Sequence, residues 1–401
     1  MDKTKQEIIN FITKKNIKLI HILFCDILGL SKTITIAANE FENALENGIA
    51  FDADIFQAIL KKEVSKLFLF PDISTFSVSG HGNEKEIQFY GSIKYADGTP
   101  FEGDSRYLLQ NAVKEAQEQN LDCMFATKCQ FSLLEGDKPY DTAGYLDAPP
   151  LDKCQQIRNE ICMALGQMGI FTKRAFHQRA AGQNQIDFQY ATPLKCADDF
   201  MTYQYITKKI ALEKGAFACF LPKPFSKEQG NGIHILASLL HRGKPDKEPS
   251  IFYESFIAGI LNRIGEMSAF FHTTEDAYKR IAYQEIPKYI TWSYQYDAPL
   301  IHIASVNEKT QPLELFSADS CLNPYLAFTL FIYAGLEGVA KQMPLPDPCN
   351  INLYGCALEE TKKYQALPDT LGQAVEMAKN STFIQGILPE RVVKSYLEQK
   401  Q

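Results

Sequence analysis

The first hundred residues alternate short apolar runs with turn signals. Ile8, Ile9 and Ile12 form one helical stripe, and Ile17 to Phe24 is a strand-like run. Leu30 to Ala37 alternates apolar and polar positions after Gly29, the pattern of a half-buried strand. Asn39, with Glu42 three residues later, predicts a capped helix that Gly48 closes. Leu67 to Phe70 and Glu86 to Tyr95 supply further strands before the turn-rich Asp97-Gly98-Thr99-Pro100. This order predicts a small α+β domain over residues 1–99.

Beyond Pro100 the elements lengthen, and residues 100–401 read as a second, larger domain. Asn111 to Asn120 and Leu151 to Met168 predict amphipathic helices, the second with Cys154, Ile157, Ile161, Leu165 and Met168 near one face. Period-two alternation predicts strands at Met124 to Leu134, Gln185 to Ala191, Phe217 to Leu221, Gly232 to Leu240, Tyr289 to Tyr294, Leu300 to Ala304 and Leu313 to Phe316. The last eighty residues read as mainly helical. No internal repeat or low-complexity tract interrupts the chain, so two intimately packed domains are expected.

Composition removes several functional classes. With 45% hydrophobic and 22% charged residues among 401, the chain has the makeup of a globular protein rather than a disordered or coiled-coil one. Forty-one Lys and Arg against 48 Asp and Glu leave a net charge of −7, so no global field favours nucleic acid or anionic membrane. The longest apolar run, Tyr325 to Leu336, is too short to span a bilayer, and MDKTKQEIINFITKKN lacks a secretory core. Cytoplasmic residence is the expectation. Ten cysteines form no C-x-x-C pair and sit mostly in runs such as HILFC and AFACF, as buried thiols in a reducing compartment do.

Common chemical motifs are absent. The chain has no G-x-x-x-x-G-K-[ST], no G-x-G-x-x-G, no H-E-x-x-H and no G-x-S-x-G, and none of its seven histidines is spaced i, i+4. Ordered segments say more. FCDILGLSK, GIAFDADIF, DGTPFEGDSR, AAGQNQIDFQYA, FLPKPF, QGNGIH, AYKR, PLIHI and LNPYLAFTLFIYAGLEG resemble, in this order and at similar separations, the signature segments of glutamine synthetases. The resemblance spans roughly residues 17 to 385. It implies an α+β fold with a small β-grasp N-terminal domain and a large domain whose curved antiparallel sheet, flanked by helices, lines a funnel-shaped site. It also implies rings of subunits with each site between neighbours.

The chemistry of that family phosphorylates the γ-carboxylate of glutamate with ATP and lets ammonia displace the phosphate. Two or three divalent cations offset the crowded negative charge, and they are held by several glutamates and a histidine. By resemblance, Lys128 and Gln130 stand at the family's E-x-E strand, two residues apart and so on one face. Gln178 and Gln185 stand at two further glutamate positions in HQRAAGQNQID. Only His234 and Glu314 remain as ligand-type residues. A divalent ion about 4 Å from the Lys128 ammonium would be repelled by roughly 8 kcal/mol at an effective dielectric of about 20. Lys128 is therefore expected to take the place of metal.

Phosphate recognition is altered in parallel. Asp297, His302, Pro312 and Phe316 stand where the family carries arginines, and none offers a guanidinium fork. Other positions persist by resemblance. Asp52 matches the aspartate that binds and deprotonates ammonium, and Glu285 the flap glutamate that shields the intermediate. Arg280 matches the arginine on the substrate carboxylate, and Gly230 a glycine lining the glutamate pocket. Asp52, Arg280, Gly230 and Glu285 also admit plain structural roles.

The expectation is a homologue in nitrogen metabolism that has lost ATP- and metal-dependent ligation. It would act as a binding, regulatory or non-catalytic ring subunit with no cofactor. Its partners would be copies of itself or a genuine glutamine synthetase, with a small amino-acid-like ligand. The alternative is an ATP-dependent γ-glutamyl-amine ligase with an altered site, using magnesium or manganese.

Overall fold

The computed structural model describes residues 4–60, 64–79, 85–241, 251–283, 285–295, 299–303, 312–354, 356 and 358–400. Helix α1 (Lys5–Lys14) precedes a six-stranded sheet of β1 (Leu19–Cys25), β2 (Ser31–Ala37), β3 (Ile49–Asp52), β4 (Lys66–Pro71), β5 (Ser77–Ser79) and β6 (Glu86–Lys94). The path runs β2-β1-β6-β4-β3, with β5 also on β6. Strands β1 and β6 pair in parallel, while β1–β2 and β4–β6 are antiparallel. Helix α2 (Phe41–Asn47) buries Phe41 and Ala44.

Two local predictions need correcting here. Asn39 does not cap α2. It lies in a short 3₁₀ turn, Ala38–Glu40, which leads straight into the helix, and the Glu40 side chain at the cap accepts from Asn43 rather than from the helix's backbone N–H groups. A capping box forms instead at α1, where Thr4 and Glu7 bond reciprocally. Gly48 does end α2, at φ 68°, a conformation that favours glycine.

The larger sheet follows α3 (Ser105–Glu118). Its strands are β7 (Leu121–Glu135), β8 (Lys138–Pro139), β9 (Thr172–His177), β10 (Gln183–Phe188), β11 (Phe217–Cys219), β12 (Ile233–His241), β13 (Trp292–Ser293), β14 (Ile301–Ile303) and β15 (Leu313–Leu315). They run β13-β14-β15-β12-β7-β10-β9, with β8 and β11 also on β7, and all pairs but β13–β14 are antiparallel. Of the strand predicted at Tyr289 to Tyr294, only Trp292–Ser293 is regular, with Tyr289 making an isolated bridge to Ala366. Helices α4 (Gln155–Gln167), α5 (Pro193–Glu213), α6 (Ile251–Phe271), α7 (Glu275–Ala282), α8 (Pro324–Ala340), α9 (Leu358–Thr361), α10 (Leu371–Asn380), α11 (Thr382–Ile387) and α12 (Glu390–Glu398) complete the chain.

Alternation along β7 sets the layers. Phe125, Cys129, Phe131 and Leu133 are buried on one side, where Phe125 meets Phe328 and Phe331 of α8 edge-on, and Phe131 meets Tyr203 of α5. Lys128 and Gln130 therefore point the other way. Helices α5 and α6 give no one-sided stripe because runs such as Phe200–Tyr203 and Ser255–Leu261 are buried all round. None of the described helices is long and apolar enough to cross a membrane.

The two sheets meet at a buried polar knot. Arg106 of α3 donates to both carboxylate oxygens of Asp198 at 3.0 and 2.9 Å and to Asp72 at 2.9 Å. Tyr90 of β6 donates to the Asp198 carbonyl at 2.8 Å, and Tyr325 of α8 to its carboxylate at 2.7 Å. Asn323, which caps α8, also reaches the Ile27 carbonyl at 3.1 Å.

Candidate ligand site on the large sheet

Register brings the predicted residues to one face. Lys128 lies opposite both His234 and Asp187, and Gln130 lies opposite Gln185. Glu314 is opposite His302 and Leu236, the latter two residues beyond His234. Five strands thus deliver Lys128, Gln130, Gln185, His234, Glu314 and His302 to a common surface, while Gln178 joins from the turn after β9.

Glu314 is the hub of one half. The Lys128 ammonium donates to both of its oxygens at 2.6 Å, and His234 Nδ1 lies 2.8 Å from Oε1. The Glu314 side chain is 9% exposed. Burial alone would raise its pKa, but the His234 hydrogen bond and charge, then the Lys128 ammonium, outweigh it and hold the carboxyl at about 2. Phe316 packs its ring 4.5 Å from His234 and 6.2 Å from His302, so an aromatic face borders the ion pair at a position read as a lost arginine. Pro312 enters β15 directly before Leu313. Asp297 lies outside the described residues.

The other half is a ladder of amides. Gln178 and Gln130 both donate to Gln185 Oε1, at 2.7 and 3.2 Å, and Gln185 donates to Asp187 at 2.7 Å. The Gly232 N–H in turn donates to Gln130 Oε1 at 3.0 Å. Asp187 is paired with Arg174 of β9. The turn carrying Gln178 is fixed from behind by Asp141, which accepts from Gly182 N–H at 3.0 Å and lies 3.0 Å from His177 Nε2. Against the effect of burial, the His177 hydrogen bond leads the interactions that keep the Asp141 carboxyl well below the usual range.

Arg280, Glu285 and Gly230 form an adjoining cluster. Glu285 pairs with the buried ammonium of Lys223 and accepts the Gly230 N–H at 2.8 Å, while Arg280 Nε stands 3.8 Å away. A side chain on Gly230 would collide with the Pro222 carbonyl and with Arg280. Asp52 does not join these groups. It ends β3 in the small sheet with its side chain 79% exposed, 4.0 Å from Lys66.

Comparison with known proteins agrees with this architecture. Residues 16–95 match the family described as "Glutamine synthetase, beta-Grasp domain" and residues 102–401 the one described as "Glutamine synthetase, catalytic domain". The chain belongs to the glutamine synthetase family. Relatives named glutamine synthetase include that of Methanosarcina mazei, 33% identical over 99% of this chain and 93% of its own length. That of Thermus thermophilus is 32% identical, covering 100% and 95%. Among solved structures, a GmaS/ADP complex superposes with a TM-score of 0.89 at 22% identity, covering 100% of this chain and 95% of the other. Plasmodium falciparum glutamine synthetase does so at 0.87 and 19%, covering 99% and 95%. At those identities the two structures speak for the fold.

Glutamine synthetases work with divalent cations, and the donor set here can be tested for one. Hard cations need several oxygen ligands. This surface offers Glu314, whose two oxygens already hold an ammonium, and Asp187, already paired with Arg174. Of the other residues read at the family's ligand positions, His234 is engaged on Glu314 through Nδ1, and Gln130, Gln178 and Gln185 are amides bonded to one another. The residues present do not fit a divalent ion at this place. Asp141, Asp152, Cys154 and His177 also gather behind the sheet, but Asp152 is bound to Arg158 at 3.2 and 2.6 Å.

Three participants escaped the sequence reading. Asp187 continues the alternation of Gln185 and could have been found from it. Lys223 sits inside FLPKPF, where only its partner Glu285 would reveal a role. Arg174 carried no signal, because β9 has no apolar alternation.

Proposed function

We propose that this member of the glutamine synthetase family acts by binding a small carboxylate ligand without metal-dependent phosphoryl transfer. The observation that carries this reading is the Lys128 ammonium seated on both oxygens of Glu314. A cation supplied by the chain itself occupies the carboxylate that would otherwise attract magnesium, and the neutral amide ladder adds no charge to hold a second ion. Arg280 keeps a buried positive charge for a carboxylate. A regulatory or ring-subunit role, alone or with a genuine synthetase, follows from the same reading.

The test has two parts. Purified protein given glutamate, ammonium, ATP and magnesium is expected to release no phosphate above a protein-free control, and isothermal titration with manganese to show no saturable site. Replacing Lys128, Gln130, Gln178 and Gln185 together by Glu is expected to create saturable manganese binding. Turnover by the unaltered chain would sink the proposal.

A second reading is favoured by the relatives, which carry the name glutamine synthetase at 31–33% identity along nearly the whole chain. In it the protein is an ATP-dependent γ-glutamyl-amine ligase with an altered site, centred on His234 and Glu314. It predicts magnesium binding that His234→Ala abolishes.

A further inference from the structure

We infer that Asp141, Asp152, Cys154 and His177, gathered behind the large sheet, form a buried zinc site in which one ion replaces the two protons linking His177 and Cys154 to Asp141. This site is separate from the surface that carries Lys128 and Glu314, and the inference does not depend on the binding reading above.

One ligand atom from each of the four residues lies within 4.8 Å of the others. None of the four is more than 4% exposed. The loop after β8 brings Asp141 and Asp152, and the end of β9 brings His177. Cys154 stands at the N-cap of α4 but makes no capping bond with its side chain. Its thiol is turned instead to Asp141 and Asn184.

His177 shows that something positive lies among these groups. Its Nδ1 is 2.7 Å from the Gln178 carbonyl oxygen, which only accepts, so Nδ1 carries a hydrogen. Nε2 faces Asp141 Oδ1 at 3.0 Å. A neutral ring would set two acceptors against each other there, so a proton or a metal ion stands between them. A ring N–H given to a backbone carbonyl is also the usual support of a metal-bound imidazole. The 3.0 Å separation is close to the ~3.3 Å between two ligands of tetrahedral zinc at about 2.0 Å. Arg158 takes one bond from each Asp152 oxygen, at 3.2 and 2.6 Å, and a carboxylate oxygen has a further lone pair to offer.

Charge balances in both states. With protons in place, Asp141 and Asp152 are matched by Arg158 and a protonated His177. With zinc, the imidazole is neutral and Cys154 is a thiolate, so two protons leave for solvent as one dication enters. Burial and the neighbouring carboxylates keep the thiol protonated without metal, and a coordinated dication reverses that. A thiolate and an imidazole select zinc over the harder magnesium and manganese, so manganese on the sheet surface and zinc behind it are independent tests. The ion would tie the start of α4 to the turn that presents Gln178.

The experiment loads the intact chain with zinc or cobalt during expression and strips loose metal on a chelating resin. Retained metal is read by elemental mass spectrometry, and cobalt by its absorption. About one ion per chain is expected, with the near-ultraviolet thiolate-to-cobalt band and the intense visible bands of a tetrahedral site. Cys154→Ala should lower retained metal at least tenfold and abolish the thiolate band, while Cys123→Ala changes neither. Should Cys154→Ala not fold, the spectrum of the unaltered chain still decides. No retained metal, a cobalt spectrum without the thiolate band, or retention unaffected by Cys154→Ala would overturn the inference.

Discussion

Arg106 and Arg280 are each 3% exposed, but their surroundings are opposite. Arg106, between the two sheets, makes three hydrogen bonds to the carboxylates of Asp72 and Asp198, with only Nη1 unpartnered. Burial opposes its charge, but Asp198 first, then Tyr325 and Asp72, more than restore it, so its pKa is raised. Among the described residues, Nε and Nη1 of Arg280 have no hydrogen-bond partner, and Glu285 stands 3.8 Å from Nε. Burial dominates and draws its pKa down to about 10, with Glu285 and Asp319 giving partial compensation. The chain supplies carboxylate partners to most of the Arg106 guanidinium and leaves Nε and Nη1 of Arg280 without a hydrogen-bond partner among the described residues. The contrast sets apart two sites of equal burial.

The largest effect should come from Arg106→Met. It strands two carboxylates at the junction, and urea unfolding should show a loss of about 3–5 kcal/mol. A loss below about 1 kcal/mol would erase the distinction between the two arginines.

Acid should act through the neighbour of Arg280. His272 is fully buried, with Nε2 2.9 Å from Ser317 Oγ and its ring packed near Tyr278. Burial first, then the charge of Arg280, depress its pKa to about 3. Because the folded pKa lies below the unfolded value of about 6.5, the unfolded chain takes up a proton that the folded chain refuses. Stability from this group is complete above pH ~6.5 and falls by about 1.4 kcal/mol per pH unit toward pH 3. Melts at pH 7, 6 and 5 check this against His272→Gln, in which the slope should lessen. Removing Arg280 should also lessen it, and an unchanged slope would separate the two residues.

The smallest effect on stability is expected from Arg280→Met itself. Loss of an uncompensated buried charge, with Glu285 still held by Lys223, should leave the unfolding free energy within about 1 kcal/mol of the unaltered protein or raise it. A loss comparable to that of Arg106→Met would make Arg280 a structural residue.

The sequence carried much of this arrangement, for identifiable reasons. Strands β7 and β12 were readable because each has one buried and one site-facing row, which also placed Lys128 beside Gln130. The resemblance also named, residue by residue, the amides and the lysine read at the family's glutamate positions. What could not be read was pairing. That Lys128 would take both Glu314 oxygens, or that Lys223 would claim Glu285, depends on residues 186 and 62 positions apart. Helices α5 and α6 stayed hidden because a helix buried all round has no stripe to read.

The two-sided design of β7 has an evolutionary corollary. Its odd-numbered side chains from Phe125 to Leu133 belong to the aromatic interior, whereas Lys128 and Gln130 touch only the opposite surface. Mutation on that surface is decoupled from mutation in the interior, so a lineage can re-line this strand's share of the cavity one position at a time while the scaffold persists. Retained architecture combined with altered chemistry is the outcome such a strand makes readily accessible to selection.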